Sequence, residues 1–366
     1  MFNSRKTRVL IVDDSAIVRK ILTEALAGQP DLEVVGTAPD PYVARDKILA
    51  LQPDVLTLDI EMPRMDGLTF LKKLMHFHAM PVVVISSLAQ PSCRAAVEAL
   101  EYGAVEVLAK PGGPYSVGEL RNSLATKIRA AANSRVRAVS PAPANATGPP
   151  IEPQAPPSAD AILAIGASTG GTEAIASVLK RLPALSPGIV IAQHIPPEFS
   201  RAFAGRLNDI CAMDVKEAAD GDCLRPGLAL VAPGDFHMLL RRSGGRYFVN
   251  VKTGPRVCYQ RPSVDVLFSS VAEAAGAGAI GVILTGMGSD GAQGMLKMHA
   301  AGAYTIAQDE ATCVVFGMPR EAIQLAAVDR VLPLSAIPGA LAGPRRTAPK
   351  AGVVPQVDGR VSRQLQ

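Results

Sequence analysis

The sequence has no tryptophan, and aromatic residues make up only 4% of its 366 positions. The sequence therefore offers few stacking platforms for bases, which removes one usual basis for nucleic-acid binding. Charge bias is also lacking. Lys and Arg number 37 against 33 Asp and Glu, a net charge of +4, which is no field for nucleic acid as main partner. Cysteine is scarce: Cys93, Cys211, Cys223, Cys258 and Cys313 are scattered, odd in number and free of C-x-x-C spacing. That argues against zinc or a disulfide framework and fits reduced thiols in a cytoplasm. No apolar run approaches the roughly 18 residues of a membrane span. The first residues, MFNSRKTRVLIVDDSA, enter a strand-like segment and lack a signal-peptide cleavage region. A cytoplasmic protein without membrane insertion is the expectation.

What is present is apolar residue, 48% of the chain, enough for well-filled cores in about two domains. The chain divides at NSRVRAVSPAPANATGPPIEPQAPPSA, residues 133–159, a Pro/Ala-rich stretch with hardly any bulky apolar side chain. Such composition reads as an extended linker. Residues 344–366 are basic and without periodicity and read as a disordered tail. Two domains are predicted, 1–132 and 160–343.

Both carry short apolar strands alternating with helical patterns, the mark of an α/β fold with a parallel sheet covered on both faces. In the first domain the strand candidates are RVLIVD, LEVVGTA, DVLTLD, PVVVIS and VEVLAK. Val18, Ile21, Leu22 and Ala25 stand at i, i+3, i+4 and i+7, one face of a helix. In the second domain the candidates are AILAIGA, GIVIAQH, GLALVAPG, AIGVILTG and AYTIAQ. HMLLRRSGGRYFVNV differs: two alternating runs flank Gly244-Gly245, an antiparallel hairpin signal.

Functional groups of a parallel α/β sheet gather beyond the carboxyl ends of its strands. In the first domain those ends are Asp13 and Asp14, Asp59, Ser86 with Ser87, and Lys110 before Pro111. Acids this close resist ionising together. A Mg²⁺ ion, which prefers carboxylate and water oxygens, resolves the conflict. With Mg²⁺ and a lysine neutralising a phosphoryl group, Asp59 can accept it as an acyl phosphate. Ser86 can hydrogen-bond a phosphoryl oxygen.

LIVDDSAIVRKIL, DVLTLDIEMPRMDGLTFL, VVVISS and AKP resemble the receiver domain of two-component response regulators over about residues 5–131. The resemblance implies a (βα)5 fold with Asp59 as phosphoacceptor, Asp13, Asp14 and Asp59 as metal ligands, and Ser86 and Lys110 as the switch pair. It implies a histidine kinase as phosphodonor. Val107 stands where receivers usually carry an aromatic.

The second domain opens on GASTGG, residues 166–171, between a strand and a helix. A glycine-rich turn there can cradle a phosphate on the helix N-terminus, or present a serine as G-x-S-x-G. A dinucleotide site wants an acid about 20 residues on, at the end of the second strand. That place holds Gln193-His194, a base, which favours the nucleophile Ser168. His194 and His237 are the histidines near strand ends, and Asp290 and Asp235 the acids. The order serine, histidine, aspartate differs from that of α/β-hydrolases. Two other classes compete: a nucleotide-binding regulatory module, and a transcription factor, for which no basic recognition helix follows the linker.

AIGASTGG, QHIPPEFS, APGDFHM, RPSVDVLF, GVILTGMGSDGAQGM and AQDEATCVVFGMPREA together resemble the catalytic domain of the chemotaxis protein-glutamate methylesterase family. The likeness runs from about Ala161 to Pro338. It implies a larger α/β esterase domain with Ser168 as nucleophile, His194 as general acid/base, Asp290 as its orienter and the Met287 N–H as oxyanion donor. His237 and Asp235 are then left with structural or rim roles. Ile195 and Gln260 depart from the common family pattern. The resemblance implies demethylation of glutamate γ-methyl esters and deamidation of glutamines on methyl-accepting chemotaxis receptors, with no cofactor for that chemistry. A chemotaxis histidine kinase is the expected phosphodonor, and a monomer the expected working unit. The unphosphorylated receiver is expected to cover the esterase cleft.

Overall fold

The computed structural model describes residues 5–110, 117–134 and 161–342. Residues 135–159 of the predicted linker and the predicted tail, 344–366, lie outside the described residues.

In the first domain, strands β1 (Thr7–Val12), β2 (Leu32–Ala38), β3 (Val55–Asp59), β4 (Val82–Ser86) and β5 (Glu106–Ala109) alternate with helices. These are α1 (Ala16–Ala27), α2 (Pro41–Leu51), α3 (Gly67–Phe77), α4 (Gln90–Glu101) and α5 (Val117–Ala132). The strands pair in parallel in the order β2-β1-β3-β4-β5. VLTLD and VVVIS are buried at every position, because helices cover both faces and water meets neither. Side chains of Ser15, Asp40 and Asp66 accept backbone N–H groups and start the first three helices. The order reverses at β1, so a crevice opens beyond the ends of β1 and β3.

The second domain is larger. Its strands are β6 (Ile162–Ala167), β7 (Gly188–Gln193), β8 (Asp214–Glu217), β9 (Cys223–Leu224), β10 (Leu228–Val231), β11 (His237–Ser243), β12 (Arg246–Lys252), β13 (Ala279–Ile283), β14 (Tyr304–Gln308) and β15 (Arg330–Leu332). Its helices are α6 (Gly171–Leu179), α7 (Phe199–Ile210), α8 (Val264–Ala275), α9 (Ala292–Ala300), α10 (Met318–Gln324) and α11 (Ile337–Ala342). Seven strands form one parallel sheet, β15-β14-β13-β6-β7-β10-β8. The five predicted strands are its middle. Edge strands β8 and β15 escape sequence reading, being short and largely solvated. The predicted hairpin is present as β11 and β12, in a separate antiparallel sheet with β9. Among the described residues no helix is long and apolar enough to cross a membrane.

The two domains pack directly. Helix α4 lies on α7, and one apolar cluster joins Ala96 and Val97 to Phe199 and Phe203. At its margin Arg206 of α7 reaches Glu101 of the first domain at 3.5 Å and Glu173 at 2.5 Å.

Candidate active site

In the second sheet β6 lies between β13 and β7. Their carboxyl ends therefore adjoin, and Ser168, His194 and Asp290 leave from them. Ala167 pairs with Gln193, so the next residue on each strand emerges beside the other. The His194 N–H donates to the Ala167 carbonyl at 3.1 Å, and the Ser168 N–H to the Thr285 carbonyl at 3.0 Å. The buried Gln193 amide bridges the two functional residues, donating to the Ser168 carbonyl at 2.8 Å and the His194 carbonyl at 3.2 Å. Sequence reading used this position only as a place without an acid. At the end of β14 the Gln308 side-chain carbonyl accepts the Thr285 N–H at 2.8 Å. Thr285 in turn donates its hydroxyl to the Thr169 carbonyl at 3.0 Å.

His194 Nε2 meets Asp290 Oδ2 at 2.7 Å. Asp290 Oδ2 also accepts the Val264 N–H at 2.8 Å. Asp290 Oδ1 accepts the Ser263 hydroxyl at 2.7 Å and the Asp265 N–H at 3.0 Å. These donors are the N-terminus of α8, whose dipole favours an anion. Burial works to raise the Asp290 carboxyl, but the bonds from His194, Ser263 and the Asp265 N–H outweigh it and hold it low. Asp290 is thus a carboxylate and His194 carries its proton on Nε2. Cys258 and Asp265 stand within metal-binding reach of Asp290, yet each Asp290 oxygen already has two donors. His194 Nδ1 is buried and has no hydrogen-bond partner, so it is not bonded to the serine hydroxyl.

The glycine-rich loop is filled by protein. A side chain at Gly171 would strike the Gln193 amide, and one at Gly170, where φ is +74°, would press on Val314. These glycines make room for neighbouring residues, which removes the ground for a phosphate cradle. Two N–H groups, of Gly317 and Met318, hold the Gly286 carbonyl at 3.0 and 2.8 Å, fixing the start of the loop that carries Met287, where Gly286 itself lies against Ser168. His299 pairs with Asp329 at 3.3 Å, and His76 and His78 lie at the end of α3.

In the first domain Asp13, Asp14 and Asp59 bring carboxylate oxygens within 4.8 Å of one another. Lys110 Nζ is 2.8 Å from Asp59 Oδ2 and 3.2 Å from Asp13 Oδ2. Both oxygens nevertheless lack an aligned hydrogen-bond donor. Buried carboxylate oxygens with open lone pairs fit a hard divalent cation such as Mg²⁺. Burial, with Asp13 alongside, pushes Asp59 up to about 6 against the pull of Lys110. Ser86 is buried, its hydroxyl turned toward the Ser92 carbonyl at 3.3 Å. Pro111 lies outside the described residues.

The CheB methylesterase family model matches residues 163–341, and the response regulator receiver domain model matches 9–122. A protein-glutamate methylesterase/protein-glutamine glutaminase of Syntrophus aciditrophicus is 56% identical, covering 91% of this chain and 97% of its own. The chain belongs to this methylesterase family. Proteins of the same description from Rhodospirillum rubrum (54% identical; 90% of this chain, 96% of its own) and Salmonella typhimurium (54%; 91% and 95%) agree in length as well. The acid ring lies within the residues that the receiver-domain model matches.

The two halves of this family member meet next to the serine. Glu106 of β5 is buried, and its Oε2 accepts the Thr169 hydroxyl at 2.9 Å and the Lys127 ammonium of α5 at 2.6 Å. Sequence reading missed Glu106, because an acid inside a strand signals no partner in another domain.

Proposed function

We propose that the chain hydrolyses γ-methyl esters of glutamates on chemotaxis receptors, releasing methanol, and deamidates glutamines there. Residues 160–343 carry this chemistry and residues 1–132 regulate it. Ser168 Oγ attacks the γ-carbonyl. His194 takes the serine proton on Nδ1, since Nε2 is committed to Asp290. The Asp290 carboxylate holds the ring and stabilises the imidazolium. The Met287 N–H donates to the oxyanion. Collapse breaks the bond to the methoxy or amino group, which takes the proton from His194 and leaves as methanol or ammonia, and water, activated by the same nitrogen, frees the glutamate from Ser168. The observation that carries this reading is the buried His194–Asp290 pair with its second ring nitrogen unspent, on a residue whose own N–H is tied to the carbonyl just before Ser168.

Asp59 accepts a phosphoryl group from a histidine kinase. Asp13, Asp14 and Asp59 would hold a Mg²⁺ ion, which supplies charge neutralisation for that group. Lys110 pairs with its oxygens, and Ser86 turns from Ser92 to bond it. Without phosphate the receiver shuts the esterase. Ser168, His194 and Asp290 are each at most 5% exposed, and Glu106 grips the residue after the nucleophile, which supports a closed resting state.

Methanol release from methylated receptor membranes tests the reading. Ser168→Ala or His194→Ala should lower turnover by about 10³-fold or more. Acetyl phosphate with Mg²⁺ should raise the rate of the full chain, and chelation or Asp59→Asn should cancel that gain while sparing the basal rate. Folded triad variants with near-normal release would overturn the assignment.

A further inference from the structure

One buried titratable group has no part in the chemistry above. His237, at the start of β11, is 5% exposed. Its Nε2 lies 2.9 Å from the Pro255 carbonyl, which can only accept. Nε2 therefore carries the proton, and Nδ1 presents a lone pair. That lone pair accepts the Ser263 N–H at 3.2 Å. Ser263 is 1% exposed, and its hydroxyl donates to Asp290 Oδ1 at 2.7 Å while accepting the Val266 N–H at 3.3 Å. A continuous path of bonds thus runs from His237 through Ser263 to Asp290 and on to His194.

The same strand start holds the approach to Ser263 at a second point. Asp235 Oδ1 accepts from Arg261 Nη2 at 2.8 Å and Nε at 3.0 Å, and Arg261 Nη1 donates to the Gly254 carbonyl at 2.5 Å. Asp235 thus holds Arg261, which ties down Gly254, while His237 holds Pro255 and Ser263.

We infer that His237 is a positioning residue for the catalytic aspartate. It works as a neutral acceptor that places Ser263, and Ser263 in turn aims the Asp290 carboxylate at the imidazole. An acid/base role for His237 is not needed, since both ring nitrogens are occupied. The inference rests on the Ser168–His194–Asp290 reading. Its reach is specific: loss of His237 should matter only while Asp290 is there to be aimed.

Methanol release by variants of the full chain tests this. His237→Leu should lower kcat by about 10-fold or more with KM within about twofold, the signature of a lost transition-state interaction. His237→Asn, whose Oδ1 can take the place of Nδ1, should retain most of the rate. Ser263→Ala should behave like His237→Leu. In an Asp290→Asn background, read in single turnovers, adding His237→Leu should change the rate by less than about twofold, because coupled residues are non-additive. Full activity in His237→Leu, or an equal loss with and without Asp290, would overturn the inference. Should His237→Leu not fold, His237→Gln carries the same test, keeping a donor toward Pro255 but losing the acceptor. Normal activity in Asp290→Asn alone would sink the triad reading instead, so the two failures are distinguishable.

Discussion

Gln193 illustrates how one side chain can organise a reaction it never touches. Its amide donates to the carbonyls of both Ser168 and His194, so the serine and histidine strands cannot slip relative to each other without breaking a buried bond. Leucine has nearly the same shape and no donors. Gln193→Leu should therefore take a donor from each of two carbonyls, the Ser168 carbonyl keeping only the Gly171 N–H at 2.7 Å, and destabilise the folded chain by about 1–3 kcal/mol. Turnover should fall by about 10-fold or more as Ser168 and His194 lose their registration. Denaturant titration with methanol-release kinetics checks both effects. An unchanged rate would mean that backbone pairing alone sets the geometry.

At the scale of elements, the strand ends decide where chemistry happens and the helices decide its electrostatics. Asp290 is a loop residue, but α8 supplies two backbone N–H groups and the Ser263 hydroxyl to its carboxylate. The carboxylate remains charged although buried. A simpler case fastens α5 within the first domain. Arg129 donates from Nε and Nη2 to the two oxygens of Asp31, each at 2.7 Å, and from Nη2 to Gln29 at 2.6 Å. The bonds from Arg129 hold Asp31 down at about 2. A depressed carboxyl stabilises the fold above its unfolded value of about 4, and that contribution fades as pH falls toward 2. Asp31→Asn should lower the melting temperature at pH 7, and the gap to the parent chain should close between pH 4 and 2. The pair is half exposed, so the effect should stay near or below about 1 kcal/mol. A gap that persists at pH 2 would assign the loss to packing instead of charge.

Across the whole molecule, the apolar cluster between α4 and α7 binds the domains, while Glu106 bonds the residue next to Ser168. Its two partners belong to different domains, Thr169 beside the serine and Lys127 on α5. Position 107, where an aromatic is usual in receivers, holds a valine buried in the receiver core. The polar neighbour at 106 makes the bond to the esterase. Glu106→Ala should raise the methanol-release rate of the unphosphorylated chain and shrink the further gain from acetyl phosphate. Measuring both rates on one preparation checks it. A basal rate identical to that of the parent chain would show that the apolar contact alone keeps the resting state closed.

Buried parallel strands and their ends were legible in the residues, because near-continuous apolar runs such as VLTLD and VVVIS have few alternatives to a covered sheet. From those ends came the acid ring, Lys110, Ser168 and His194 as candidates. Strands β8 and β15 were not legible, since short solvated edges carry no pattern. Local sequence also left His194 open against His237 and Asp290 against Asp235. Resemblance to the family chose between them, and packing supplied the physical reason: His194 faces Asp290, while His237 spends both nitrogens on the backbone. Which ring nitrogen of His194 stays free, what the Gln193 amide spans and where Glu106 lands were decided by tertiary structure alone. Hydrophobic periodicity reports which face of an element is buried, but a hydrogen bond between distant residues exists only once the chain has brought them together.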